Sequence, residues 1–211
     1  MRSKESKKVL RKERERQARR LEILEAAELV FGRKGYHAAT IEEIAAEAEF
    51  ATGTIYNFFD SKESLYHELM DKFVDEFMGL FESKILSQAD PRDAVGALIE
   101  LKLSHFQEHR GFFRVFFETS PGSRFDPSSS MPAKILERYD DYIKQVSDIF
   151  KSGLDSGIFD EKLDPLYLSL SLEGVVNAFV AYWSRRGIDE PTDNRLDIMK
   201  NNFLSRIQIR I

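Results

Sequence analysis

Apolar residues in this chain return every three or four positions almost throughout, and no stretch shows the sustained alternation of a strand. That period restricts the fold to packed helices. The first runs from a basic N-terminal segment to about Lys34, with Leu24, Ala27, Val30 and Phe31 as its buried stripe and Gly35 placed to end it. Thr40-Ile41-Glu42-Glu43 forms a capping box, the threonine hydroxyl capping the helix start and Glu43 reaching back to it. A short second helix follows, with Ile41, Ile44, Ala45 and Ala48 on one face. A third short helix holds Ile55, Tyr56, Phe58 and Phe59, after which Asp60 and Ser61 supply a new N-cap. The fourth is long, with Leu65, Leu69, Phe73, Phe77, Leu80 and Phe81 stepping by three and four.

Asp90-Pro91 opens a fifth helix that ends before Gly111, and Phe112, Phe113, Phe116 and Phe117 mark a sixth. Thr119 to Ser130, rich in Ser, Pro and Gly, reads as a mobile loop. Pro132 starts a seventh helix that Gly157 caps, Asp164-Pro165 opens an eighth running to Trp183, and Thr192 or Asp193 opens a ninth. The expected architecture is all-α, three N-terminal helices followed by six more.

Composition excludes several functions. There is no cysteine, hence no disulfide, thiolate zinc site or cysteine nucleophile. No uninterrupted apolar run approaches the roughly 20 residues that span a bilayer, and the charged N-terminus lacks a signal-peptide core. A cytoplasmic protein without membrane association is expected. The net charge of −5 hides an asymmetry: residues 1–20 hold ten Lys/Arg against three acids, a surplus of +7, so the other 191 residues carry −12. A cationic arm on an acidic body suits a protein that meets a polyanion at one end. A solubilising tail has the same composition.

The second and third helices, separated by Glu49-Phe50-Ala51-Thr52, have the dimensions of a helix-turn-helix. The third is polar on one side, where Thr52, Thr54, Tyr56 and Asn57 can face a groove while Ile55 and Phe59 face a core. Hydroxyls and amides of this kind bond phosphate oxygens or base edges. An ordinary small helical bundle fits the pattern equally well.

The residues Ile23-Leu24-Glu25-Ala26-Ala27, Phe31, Gly35, Thr40-Ile41, Ile44-Ala45, Gly53-Thr54-Ile55-Tyr56, Phe59, Ser61-Lys62-Glu63 and Leu65 resemble the signature of the TetR family, over roughly residues 19 to 66. The resemblance implies a DNA-binding regulator built from a basic arm (1–18), a helix-turn-helix domain (19–61) and a helical effector-binding and dimerisation domain (62–211). It implies that Thr40 sits against a phosphate, that Thr54 and Tyr56 touch phosphates, and that Thr52 and Asn57 reach bases or backbone. It also implies that Lys62 contacts a phosphate and that Gly53 allows close approach to DNA. Two positions depart from the family pattern: Glu49 replaces the turn glycine and Ala51 replaces a serine cap. A left-handed Glu49 would cost on the order of 1 kcal/mol. Residues 21–66 hold three basic residues and nine acids, and the recognition helix has no Lys or Arg.

By the same resemblance the last two helices form a homodimer interface, and helices four to eight enclose a small-molecule pocket. Phe77, Phe81, Phe106, Phe113 and Phe117 could line it, with His105, Tyr142, Asn177 and Trp183 as orienting polar groups. Core packing explains any one of these phenylalanines as readily. The expected function is repression relieved by a largely apolar ligand, with no cofactor. Ser171, Gly174 and Ala178 on the eighth helix suit either close helix approach between subunits or a monomeric core.

An enzymatic reading rests on His105-Phe106-Gln107-Glu108-His109, which fits the H-x-x-E-H pattern of some zinc peptidases. Histidines in the last turn of a helix are also favoured by its dipole, and no metal is expected. No G-x-S-x-G and no Gly-rich phosphate loop is present. A helical protein-binding adaptor is the remaining alternative. Because the recognition region is acidic, the arm should supply much of the electrostatic affinity, tracking the minor groove or lying along the backbone. Deleting residues 1–18 is therefore expected to weaken DNA binding and flatten its salt dependence; an unchanged salt slope would refute this role.

Overall fold

The computed structural model describes residues 2–119, 132–186 and 193–207. Among them the regular structure is nine α-helices and no strand. These are α1 (Arg2–Lys34), α2 (Ile41–Glu47), α3 (Thr52–Tyr56), α4 (Lys62–Lys84), α5 (Pro91–Glu108), α6 (Arg110–Thr119), α7 (Ala133–Asp155), α8 (Pro165–Arg186) and α9 (Asp193–Ile207). The expected loop after Thr119 lies outside the described residues, as does Thr192. Two compact units divide the chain within α4, residues 1–73 and 74–211.

In the first unit Ile23, Leu24, Ala27, Val30 and Phe31 of α1 are buried with Ile41, Ile44 and Ala45 of α2, Ile55 and Phe59 around α3, and Leu65 and Leu69 of α4. The start of α2 is fixed by the capping box: the Glu43 N–H donates to Thr40 Oγ1 (3.3 Å) and the Thr40 N–H to Glu43 Oε2 (3.2 Å). Gly35 ends α1 at φ 79°, its N–H donating to Phe31 O (2.7 Å). Glu49 ends α2 at φ 58°. The Phe50 N–H reaches Ala45 O (2.8 Å) and the Glu49 N–H reaches Ala46 O (3.2 Å), the two bonds of a Schellman turn. A glutamate thus occupies the left-handed position that glycine fills without strain. Ala51 precedes α3 and provides no side-chain cap.

In the second unit α5 packs against α7, α8 and α9, and α7 packs against α8. Asp90 caps α5 by accepting the Arg92 N–H (2.8 Å), and Asp164 accepts the Leu166 and Tyr167 N–H groups (2.9 and 3.0 Å) at the start of α8. A second Schellman turn ends α7: Gly157 stands at φ 71°, and the Ile158 N–H donates to Gly153 O (2.8 Å). Phe159 then folds back over Gly153, where a Cβ would lie 2.2 Å from Phe159 Cδ2.

The stretch Pro165–Ser184 is long and apolar enough, by length and composition, to cross a membrane (mean hydropathy 1.2). Short apolar runs concealed this in the sequence, because isolated Ser, Glu and Asn interrupt a helix that is apolar on average. Its buried share contributes Leu168, Leu172, Val176, Val180 and Trp183 to the bundle core.

Substituting Glu49→Gly should stabilise the protein by up to about 1 kcal/mol by relieving the left-handed backbone. A thermal melt of the two proteins checks this, and a lower midpoint in the variant would contradict the turn geometry.

Candidate nucleic-acid interface and effector site

The exposed side of α3 is polar and its other side is core. Gly53, Tyr56 and Asn57 are exposed, Thr52 and Thr54 half-buried, and Thr40 exposed at the head of α2. Ile55 and Phe59 are buried, as the pattern requires. A Cβ on Gly53 would meet no atom within 4 Å, so nothing inside the chain calls for glycine there.

The basic residues of this region are paired within the chain, Lys62 and Arg20 against its surface and Arg33 and Lys34 in exposed ion pairs. Lys62 Nζ donates to the carbonyls of Tyr36 (2.8 Å) and Ala39 (2.9 Å), lies 3.4 Å from that of His37, and sits over the Tyr36 ring. Its three ammonium hydrogens are thereby directed at the α1–α2 connection. Arg33 pairs with Glu47 and Lys34 with Glu43, whose carboxyl is held below its usual range first by the Lys34 bond and then by the Thr40 N–H. Arg20 pairs with Glu68 and lies over the Phe59 ring. By contrast, residues 8–19 of α1 are all exposed, and this stretch carries Lys8, Arg11, Lys12, Arg14, Arg16 and Arg19.

In the second unit the structure gathers four of the expected pocket residues. Phe77 lies 5.5 Å from Tyr142, 5.6 Å from His105 and 6.4 Å from Phe81 between ring centroids, and Phe81 lies 5.1 Å from Tyr142. Phe106, Phe113 and Phe117 form a second series, with neighbouring centroids 5.3 and 6.1 Å apart. Trp183 stands elsewhere, beside Phe179 and lining a groove between α8 and α9, while Asn177 is half-buried on α8.

Sequence reasoning missed the polar centre of this cluster. Lys102 donates to both carboxylate oxygens of Glu173 (2.8 and 2.7 Å), and the Tyr142 hydroxyl donates to Glu173 Oε1 (2.7 Å). Lys102 lies 5.6 and 5.5 Å from the centroids of the Phe77 and Tyr142 rings. Burial, and then the Glu173 charge, raise the Tyr142 phenol well above its ordinary range, so it remains a donor at neutral pH. The available signal was a charge in an apolar setting: Lys102 between two leucines, and Glu173 alone in a long uncharged stretch.

A short helix, polar on its exposed side, on a three-helix core, followed by a helical bundle with an aromatic interior, is the arrangement of a helix-turn-helix DNA-binding protein. Residues 23–69 match the family model described as bacterial regulatory proteins, tetR family. Over 81 residues the chain is 36% identical to the transcriptional repressor KstR2 of Rhodococcus jostii, covering 38% of this chain and 40% of that protein. It is 26% identical to the fatty acid metabolism regulator protein of Bacillus subtilis over 77% of this chain and 82% of that one. The fold also matches the crystal structure of the regulator FadR from Bacillus subtilis in complex with stearoyl-CoA (TM-score 0.69, 23% identity, 88% and 95% coverage). The match to the tetR-family model is confined to residues 23–69, the segment that holds α2, α3 and the start of α4.

The ion pair has a measurable signature. Lys102→Met alone leaves the Glu173 carboxylate buried beside an apolar group and should cost roughly 3–5 kcal/mol. Pairing it with Glu173→Leu should recover most of that loss. Additive losses in a double-mutant cycle of unfolding free energies would show that the two groups do not interact.

Proposed function

We propose that the chain is a homodimeric repressor that is released from its operator by a small, largely apolar effector. The observation that carries this reading is α3, polar outside and apolar inside. In this proposal residues 19–61 form the DNA-binding domain, with Thr40, Thr52, Gly53, Thr54, Tyr56 and Asn57 facing the operator. Lys62 acts differently from a simple phosphate contact: it holds the connection ahead of Thr40 and so positions that residue. The basic stretch of α1 supplies the cationic surface that α3 lacks. An α-helix, about 10–12 Å across, is too wide for a minor groove about 6 Å wide. The arm therefore lies along the phosphate backbone.

Residues 62–211 serve effector binding and dimerisation in this reading. Support for the dimer comes from α8, where Tyr167, Leu170, Val175, Phe179 and Tyr182 are exposed along with Ser171, Gly174 and Ala178. Those small residues are not core of a single chain. With Ile198 of α9 they make an apolar face that a second copy would cover, and two recognition helices would then meet half-sites about 34 Å apart. An apolar effector would lie among Phe77, Phe81, Phe106 and Tyr142, with Lys102 and Glu173 available to its polar end. The stearoyl-CoA held by the Bacillus subtilis regulator supports a long-chain acyl thioester as the first candidate. Phe77 and Phe81 belong to the helix that begins at Lys62, so an effector that shifts them acts on an element shared with the DNA-binding region. The site of action is the cytoplasm.

The test is a titration of the full chain against promoter DNA flanking its own gene, at two salt concentrations, with and without stearoyl-CoA. Salt-sensitive, sequence-specific binding of two chains per site is expected, with affinity reduced roughly 5- to 150-fold by the acyl thioester. Absence of specific binding at either salt would overturn the reading.

A further inference from the structure

The H-x-x-E-H segment is the one sequence motif that DNA and effector binding leave largely unused. The structure places it where α5 stops: His105 is in the last turn, Glu108 is the final residue, and His109 is the C-cap, its N–H donating to His105 O (3.1 Å). The two imidazoles meet edge to face with centroids 4.6 Å apart and planes inclined by 65°. One ligand atom from each of His105, Glu108 and His109 can be chosen so that all three lie within 4.8 Å of one another. A fourth donor comes from α4, where Glu76 Oε2 lies 3.5 Å from His109 Nε2.

These spacings suit a cation shared between the groups. Ligands bound at about 2.1 Å to a tetrahedral ion lie about 3.4 Å from each other. The Glu76–His109 separation matches that edge, and the ligand atoms of His105, Glu108 and His109, within 4.8 Å of one another, would draw together by about 1 Å on binding. Burial is graded in a useful way: His105 is 2% exposed against Phe77, His109 and Glu76 are half-buried, and Glu108 is open to solvent. The exposed carboxylate provides a path of entry. The C-terminus of α5 adds negative potential. Two carboxylates balance the charge of a divalent ion, and imidazole ligands select a first-row transition ion over magnesium or calcium.

We propose that His105, Glu108, His109 and Glu76 form a binding site for one divalent ion of the zinc class. The ion ties α4 to the junction of α5 and α6. Because Glu76 and His105 both adjoin Phe77, one in sequence and one in space, the ion fixes a wall of the aromatic cluster. The site is structural or regulatory and independent of which effector the bundle takes.

The experiment uses the full chain, freed of metal by chelation and titrated with Co2+, followed by competition with Zn2+. One Co2+ per chain is expected, with the visible d–d bands of a low-coordinate nitrogen–oxygen site, lost when Zn2+ displaces it. His109→Gln should weaken Co2+ binding by more than about 100-fold, beyond the usual cost of losing an outer partner alone. Glu108→Gln, at an exposed position that folding does not need, should weaken binding and alter the spectrum even if His109→Gln fails to fold. No stoichiometric Co2+ on the unmodified chain, or an unaltered spectrum and affinity in Glu108→Gln, would overturn the proposal.

Discussion

A helix leaves its last carbonyls without partners, and a chain built only of helices has to satisfy that requirement at every reversal. Among the described residues this is done at three points by setting one residue in left-handed backbone: Gly35 after α1, Glu49 after α2 and Gly157 after α7. Each turn also sets a direction. The Gly35 turn delivers the chain to the Thr40 capping box. The Glu49 turn aims α3 so that Ile55 and Phe59 go inward and the threonines stay outward. The Gly157 turn brings Phe159 onto Gly153 and returns the chain toward α8. At Glu49 the requirement is met against the residue's own preference, which places some backbone strain beside the recognition helix.

Much of this was legible because it is local. Periodicity gave the helices, and caps such as Thr40 with Glu43, or Asp90 ahead of Pro91, gave their starts to within a residue or two. Gly35 and Gly157 announced two of the ends. The partition of α3 into Ile55 and Phe59 against Thr54 and Tyr56 could be read from spacing alone. What stayed hidden depends on residues far apart in sequence. Lys62 resembles a phosphate contact in sequence, and only the fold shows that its ammonium also meets the Tyr36 and Ala39 carbonyls. Lys102 and Glu173 are 71 positions apart, and neither suggests a partner until α5 and α8 pack. Trp183 reads like Tyr142 in sequence, yet helix phase sends it to α9 rather than to Phe77.

The ion pairs sort the charges by task. Arg20, Arg33, Lys34 and Lys62 are matched by Glu68, Glu47, Glu43 and backbone carbonyls, so their charge is largely offset locally. The cations of residues 8–19 are mostly left to solvent. Free positive charge and the polar face of α3 therefore lie in different segments of the first unit. In the second unit the opposite arrangement holds: charge is taken inside, among aromatic rings, where low dielectric makes the Lys102–Glu173 pair sensitive to anything that enters beside it.

Gly53 shows how separate folding and recognition are here. With open space where its side chain would be, the fold places no steric condition on that position, and whatever restricts it must act from outside the chain. A methyl group there would touch no other part of the chain, so its effect would fall on whatever approaches the helix. In genetic terms it is a position where loss of function parts company with loss of protein. In a dimer, one such altered subunit would spoil the grip of a normal partner, a dominant defect from a change that stability measurements would not register.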